Sequence, residues 1–199
     1  MINRLFFVLF LTIFTPCISF AHPHMFVSYD VTFVVDGSGL TGVRMNWDMD
    51  PMFSASLMES FDLNKNRKLE KNEIKKLEKE AFSNLANYHY MTFIRLDGKP
   101  SKFQIPENFT AAIVDKEVRY TFTLPIKISA KNGEQKVGVE VYDGSNFIYF
   151  SYNEKVDITG AEKNKINHEI KVVKKKVKDQ YMEDVTKRIA TLIFSKKSN

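Results

Sequence analysis

The chain is short of the residues that support several common chemistries. It holds one cysteine in 199 residues, Cys17, and that residue falls inside an N-terminal leader. Once the leader is removed, neither a disulfide nor a thiolate metal site can form. No Ser, His and Asp stand in a hydrolase order, no serine lies in a nucleophile elbow and no Cys/His pair is present, so nothing supports a hydrolase. Long apolar runs are scarce as well. Leu5 to Phe14 is too short for a membrane span, and no later stretch offers a span.

Residues 1–21 read as a secretory signal peptide. Arg4 supplies the positive start, Pro16 breaks the apolar run, and Ser19-Phe20-Ala21 is a small-x-small cleavage site. Removing 21 of 199 residues leaves 178, read as one periplasmic domain over 22–199. Arg4 is the only charge lost, so the formal charge falls from +5 to +4. A balance of that size suits an exported protein and requires no nucleic acid.

The most informative stretch is Asp62-Leu63-Asn64-Lys65-Asn66-Arg67-Lys68-Leu69-Glu70-Lys71-Asn72-Glu73. Oxygen-bearing side chains fall at positions 1, 3, 5, 9 and 12, the spacing of an EF-hand calcium loop. Asp62, Asn64, Asn66, Glu70 and Glu73 are the side-chain donors, and Lys68 offers its backbone carbonyl. Position 6 is Arg67, where the sharp turn takes Gly, and two donors are neutral Asn. Both features point to a weak site, in the roughly 10⁻⁴–10⁻³ M range of extracellular modules.

The loop lies in a helix-loop-helix insertion over 51–86. Asp50-Pro51 is a helix start. Phe53, Leu57, Met58 and Phe61 form one apolar stripe, and Ile74, Leu77, Ala81, Phe82 and Leu85 form a second.

Cleavage after Ala21 leaves His22-Pro23-His24 at the new N-terminus. An N-terminal His can chelate through its α-amine and Nδ1, and imidazole suits Zn²⁺, Ni²⁺, Co²⁺ or Cu²⁺. Pro23 has no N–H, which excludes a square-planar amino-terminal copper or nickel motif. A third ligand must come from elsewhere: His89 first, then Asp143, Asp48 and Asp50.

The remainder alternates like strands. Met25 to Val35 and Thr41 to Trp47 form a hairpin around Asp36-Gly37-Ser38-Gly39. Further strands fall at Thr92–Leu96, Phe109–Val114, Glu117–Leu124, Lys136–Tyr142 and Asn146–Tyr152. The fold class is therefore mainly β with inserted helices (α+β), an antiparallel sandwich-like domain carrying the EF-hand-like insertion. A basic C-terminal segment, 160–199, reads as a strand near Glu169–Val173 and then a helix through Val177, Tyr181, Val185, Ile189 and Leu192. His168 reads as a surface residue.

Several pieces together resemble the bacterial domain-of-unknown-function family 1007. They are Ala21-His22-Pro23-His24, Leu40-Thr41-Gly42-Val43 with Trp47, the loop Asp62–Glu73, Asn84-Leu85-Ala86 and Tyr90-Met91-Thr92-Phe93 before Asp97-Gly98. Phe122-Thr123-Leu124-Pro125 and Tyr142-Asp143 with Phe147 complete them. The resemblance implies a periplasmic component associated with nickel, cobalt or other divalent-metal transporters of the inner membrane, and no established enzymatic activity. It places the family's histidines on His22 and His24 and its acidic loop on Asp62–Glu73. The chain departs from the family at Arg67, at Gly144-Ser145 where Pro-Thr is expected, and in lacking C-terminal cysteines.

Three functions follow as expectations. The first is a periplasmic metal-binding accessory protein with a weak calcium loop. The second is a calcium-stabilised scaffold without a transition metal. The third, least favoured, is a copper enzyme built on His22.

Overall fold

A computed structural model describes residues 24–145, 147–178 and 184–197. The expected leader, with Cys17, and also His22 and Pro23 lie outside them. The chain is mainly β with inserted helices. Strands β1 (Met25–Asp36) and β2 (Gly39–Met49) form the expected hairpin. Val27, Tyr29, Val31, Phe33 and Val35 are all buried, because alternation puts them on one face. The turn between the strands is held by Asp36, whose carboxylate accepts from the Ser38 and Gly39 amides at 2.7 and 3.1 Å.

Helices α1 (Pro51–Phe61) and α2 (Lys71–Glu80) follow, and then a 3-10 segment, Phe82–Met91. The second apolar stripe thus divides: α2 carries Ile74 and Leu77, and the 3-10 segment carries Phe82 and Leu85. The remaining strands are β3 (Thr92–Leu96), β4 (Lys99–Ser101), β5 (Glu107–Val114), β6 (Glu117–Ser129), β7 (Gln135–Val141), β8 (Ile148–Thr159), β9 (Ile166–Lys178) and β10 (Asp184–Lys196). A 3-10 turn, Lys163–Lys165, precedes β9.

Two five-stranded sheets result, in the orders β5-β6-β2-β1-β8 and β4-β3-β7-β10-β9. Tyr29 of the first sheet lies against the backbone of Val141 in the second, with Glu140 and Arg188 nearby. Burial, then the Glu140 charge, raises its hydroxyl pKa. Aromatic rings fill the interior. Trp47 meets Phe122 and Phe150 edge-on, each at 5.1 Å, and Phe82 stacks on Phe109 at 4.3 Å.

Two expectations need correction. The sandwich is not wholly antiparallel: β8 pairs with β1 in parallel, from Met25↔Ile148 to Val34↔Thr159. A parallel neighbour needs a long connection, and this one runs through β2, the helices and β3 to β7 before β8 returns. Among the described residues the expected C-terminal helix is replaced by strands. β9 and β10 form an antiparallel hairpin in which Val177 pairs with Val185 and Val173 with Ile189. Its apolar side is Ala190, Leu192 and Phe194, all buried.

Candidate cation loop and the histidine corner

The loop is suspended between two capped helices. The Asp50 carboxylate accepts from the Phe53 amide at 2.8 Å and starts α1. The α1 helix ends on buried Phe61, and the Asp62 amide closes its last turn on the Met58 carbonyl at 3.0 Å. On the far side, Glu70 precedes α2, and the Glu73 carboxylate reaches back to the Glu70 amide at 2.8 Å. Phe61 and Leu77 anchor the two helices in the core.

Between those caps the backbone makes two left-handed steps, Lys65 at φ 57° and Arg67 at φ 63°. The sharp turn thus forms at position 6 without glycine, at a cost of about 1 kcal/mol.

The oxygen donors gather around two points. The Asp62 carboxylate accepts from the Asn66 and Arg67 amides at 3.1 and 2.8 Å. The Asn64 side-chain oxygen accepts from the same Asn66 amide at 3.0 Å. The Glu70 carboxylate takes the side-chain amides of Asn64 and Asn66 at 3.1 and 2.9 Å. Glu73 accepts from the Leu63 amide at 2.8 Å, immediately after Asp62. Hydrogen bonds thus tie Asp62, Asn64, Asn66 and Glu70 into one network, and Glu73 is bonded to the amides of Leu63, Asn64 and Glu70.

Asp62 is 8% exposed and Glu73 1%. Among the described residues neither is paired with a Lys or Arg; backbone amides alone hold them. Buried carboxylates compensated only by dipoles carry charge that a divalent cation would neutralise. No three His, Cys, Asp or Glu side chains form a ready-made ligand group among the described residues. The donor set read here also draws on two Asn oxygens and the Lys68 carbonyl, which fits a hard, oxygen-seeking ion such as Ca²⁺.

The histidine corner is built differently. His24 is exposed; its amide donates to the Phe147 carbonyl at 2.9 Å, and its ring lies 5.0 Å from the Phe147 ring. The Asp143 carboxylate organises that turn, accepting from the amides of Ser145, Phe147 and Ile148 at 2.8, 3.0 and 3.0 Å, and from the Ser145 hydroxyl. Burial pushes the Asp143 pKa up, but these hydrogen bonds outweigh it and the carboxyl sits below its ordinary range.

The fold thus links His24 to the Asp143 turn through Phe147. His89 is exposed at φ 52°, with its ring 6.3 Å from Phe93, which stacks on Tyr142 at 4.2 Å. Among the described residues no contact joins His89 to His24. Asp48 forms a forked pair with Arg119 at 2.5 and 2.9 Å. Asp50 caps α1 and also accepts from the Phe26 amide at 2.8 Å. These two carboxylates serve the framework. His168 is exposed, as expected.

The sequence pattern does not single out Ser54, which is buried, and it names Phe147 beside Asp143 without its contact to His24. Asp143-Gly144-Ser145 was a legible signal for that turn, since Asp side chains bond backbone amides two residues on. Nothing in the pattern around Ser54 marked it.

An uncharacterized protein of Haemophilus influenzae is 26% identical over 149 residues, covering 72% of this chain and 70% of the relative. An uncharacterized 15.5 kDa protein in the trpE 3′ region of Spirochaeta aurantia is 32% identical over 92 residues. That match covers 46% of this chain and 65% of the relative. The family model described as a protein of unknown function, DUF1007, matches residues 7–197, and the chain belongs to that family.

Proposed function

We propose that this is a periplasmic metal-binding accessory protein in which loop 62–73 holds Ca²⁺ and the N-terminal histidines take a divalent transition metal. The observation that carries the proposal is the hydrogen-bonded network of Asp62, Asn64, Asn66 and Glu70 beside Glu73, with Asp62 and Glu73 buried and, among the described residues, unpaired by cations. The ion's role there is to fix α1 against α2. His22 and His24 would capture Ni²⁺, Co²⁺, Zn²⁺ or Cu²⁺ for an inner-membrane transporter, a reading supported by the family resemblance and by the exposure of His24.

The test is native mass spectrometry of the mature protein beginning at a free His22, titrated separately with Ca²⁺, Zn²⁺, Ni²⁺, Co²⁺ and Cu²⁺. The proposal expects stoichiometric Ca²⁺ lost in Glu73→Gln, and a transition metal lost in His22→Ala or when one residue is added before His22. Absence of any adduct would overturn it.

A second reading keeps the calcium loop and drops the transition metal, leaving a calcium-stabilised binding or scaffold module. It is favoured by Asp143, whose carboxylate already accepts from Ser145, Phe147 and Ile148. Calcium binding with no effect of His22→Ala would select it.

A further inference from the structure

Each sheet ends in two edge strands, and an open edge pairs with any extended chain unless something guards it. Three of the four edges are guarded. β4 is three residues long and carries Lys99 and Pro100. β9 presents exposed Lys171, Lys174, Lys175 and Lys176. β5 has a register break between Glu107 and Thr110, with Asn108 at φ 55°.

The fourth edge is β8, and its first half has no such device. Ile148 to Tyr152 runs in unbroken register with β1, and the irregularity comes only after Tyr152. From Asn146 to Asn153 the sequence Asn-Phe-Ile-Tyr-Phe-Ser-Tyr-Asn contains no charge, proline or glycine. Among the described residues this half of β8 pairs with β1 alone. The surface beside it is aromatic. Phe147 is 51% exposed, Tyr149 54% and Phe26 53%, with the Phe26 and Tyr149 rings 5.9 Å apart.

We propose that the occupant of this edge is the β8 edge of a second copy, paired antiparallel about Phe150 into a continuous ten-stranded sheet. The segment is self-complementary in that register. Ile148 faces Tyr152, an aromatic with β-branched pairing that stabilises antiparallel strands, and Tyr149 faces the small Ser151. No like charges meet in the paired stretch, because 148–152 carries no charged residue. Glu154 is in addition held within its own copy by Arg188 at 2.7 Å and Lys174 at 3.7 Å. So short an edge covers less than the roughly 800 Å² per partner of a standard interface, which makes the dimer weak and dissolved by dilution.

The test uses the mature protein itself. Sedimentation across concentration should show the mass rising from one chain toward two. Amide exchange within 148–152 should slow in step, while that of β4 and β5 stays constant. Tyr149→Lys/Ser151→Lys places like charges opposite each other and should remain monomeric. Tyr149→Glu/Ser151→Glu should also be monomeric alone, and mixing the two variants should restore association. A monomer at every concentration overturns the proposal and leaves the edge to a strand of another protein. Self-association without protection of 148–152 overturns it too, and that readout needs no variant to fold.

Discussion

The Ser54 hydroxyl joins the helical insertion to two strands at once. It accepts from the Val118 amide at 2.8 Å, 64 residues along the chain, and donates to the Met49 carbonyl at 3.1 Å. The β2–β6 register ends at Asp48↔Arg119, so Ser54 bridges the two strands just beyond it and is itself 2% exposed. Ser54→Ala should lower stability by about 1–3 kcal/mol, because the Val118 N–H is left buried without an acceptor. Urea unfolding checks it; a loss below about 0.5 kcal/mol would show that the amide finds another partner.

Arg67 should respond to substitution through its backbone. Its φ of 63° strains any residue with a Cβ, while its amide is needed by Asp62. Arg67→Gly keeps the amide and removes the strain, so it should strengthen calcium binding. Arg67→Val should weaken both the loop and the binding. Calorimetric titration of the two variants gives the order directly.

Gly160 lies where β8 leaves the first sheet, at φ +129°. A Cβ there would stand 1.7 Å from the Val35 carbonyl oxygen. Gly160→Ala should cost more than about 2 kcal/mol, since backbone strain and a clash with fixed backbone add together. Thermal melting with an unchanged midpoint would contradict this packing.

Asp143 supplies a pH signature. Its folded pKa lies below the ordinary 3.8, so its contribution is fully present above that value and is lost as pH falls through the lower folded pKa. Asp143→Asn should melt at a lower temperature than the parent at neutral pH, with the difference shrinking below about pH 4. A constant difference down to pH 2 would show that the carboxylate charge is not what holds the turn.

Much of this architecture is written in local pattern. The β1–β2 hairpin is carried by alternation on each side of an Asx-type turn. The boundaries of β3 fall where Thr92 and Leu96 suggested, because Asp97-Gly98 stops the strand. The C-terminal hairpin shows the limit of spacing. Residues 177, 181, 185 and 189 are four apart, which suits one face of a helix and equally one face of a strand, four being a multiple of two. The β-branched content of the segment, with Val172, Val173, Val177, Val185, Thr186, Ile189, Thr191 and Ile193, was the better guide.

Strand partnership was not legible at all. Nothing in β1 or β8 specifies that they lie side by side in parallel; the path through the second sheet decides it. In the candidate site, the donor spacing of loop 62–73 was legible because it is local in sequence. The link from His24 through Phe147 to Asp143 was not, because it joins residues more than a hundred positions apart.

The most direct test of the central claim is the thermal midpoint of the mature protein against Ca²⁺, beside that of Glu73→Gln. Binding to the folded loop alone should raise the midpoint progressively over roughly 0.1–10 mM Ca²⁺, by mass action, and leave Glu73→Gln unmoved. A flat curve for the parent, or an equal rise in Glu73→Gln, would contradict a calcium site at Asp62–Glu73.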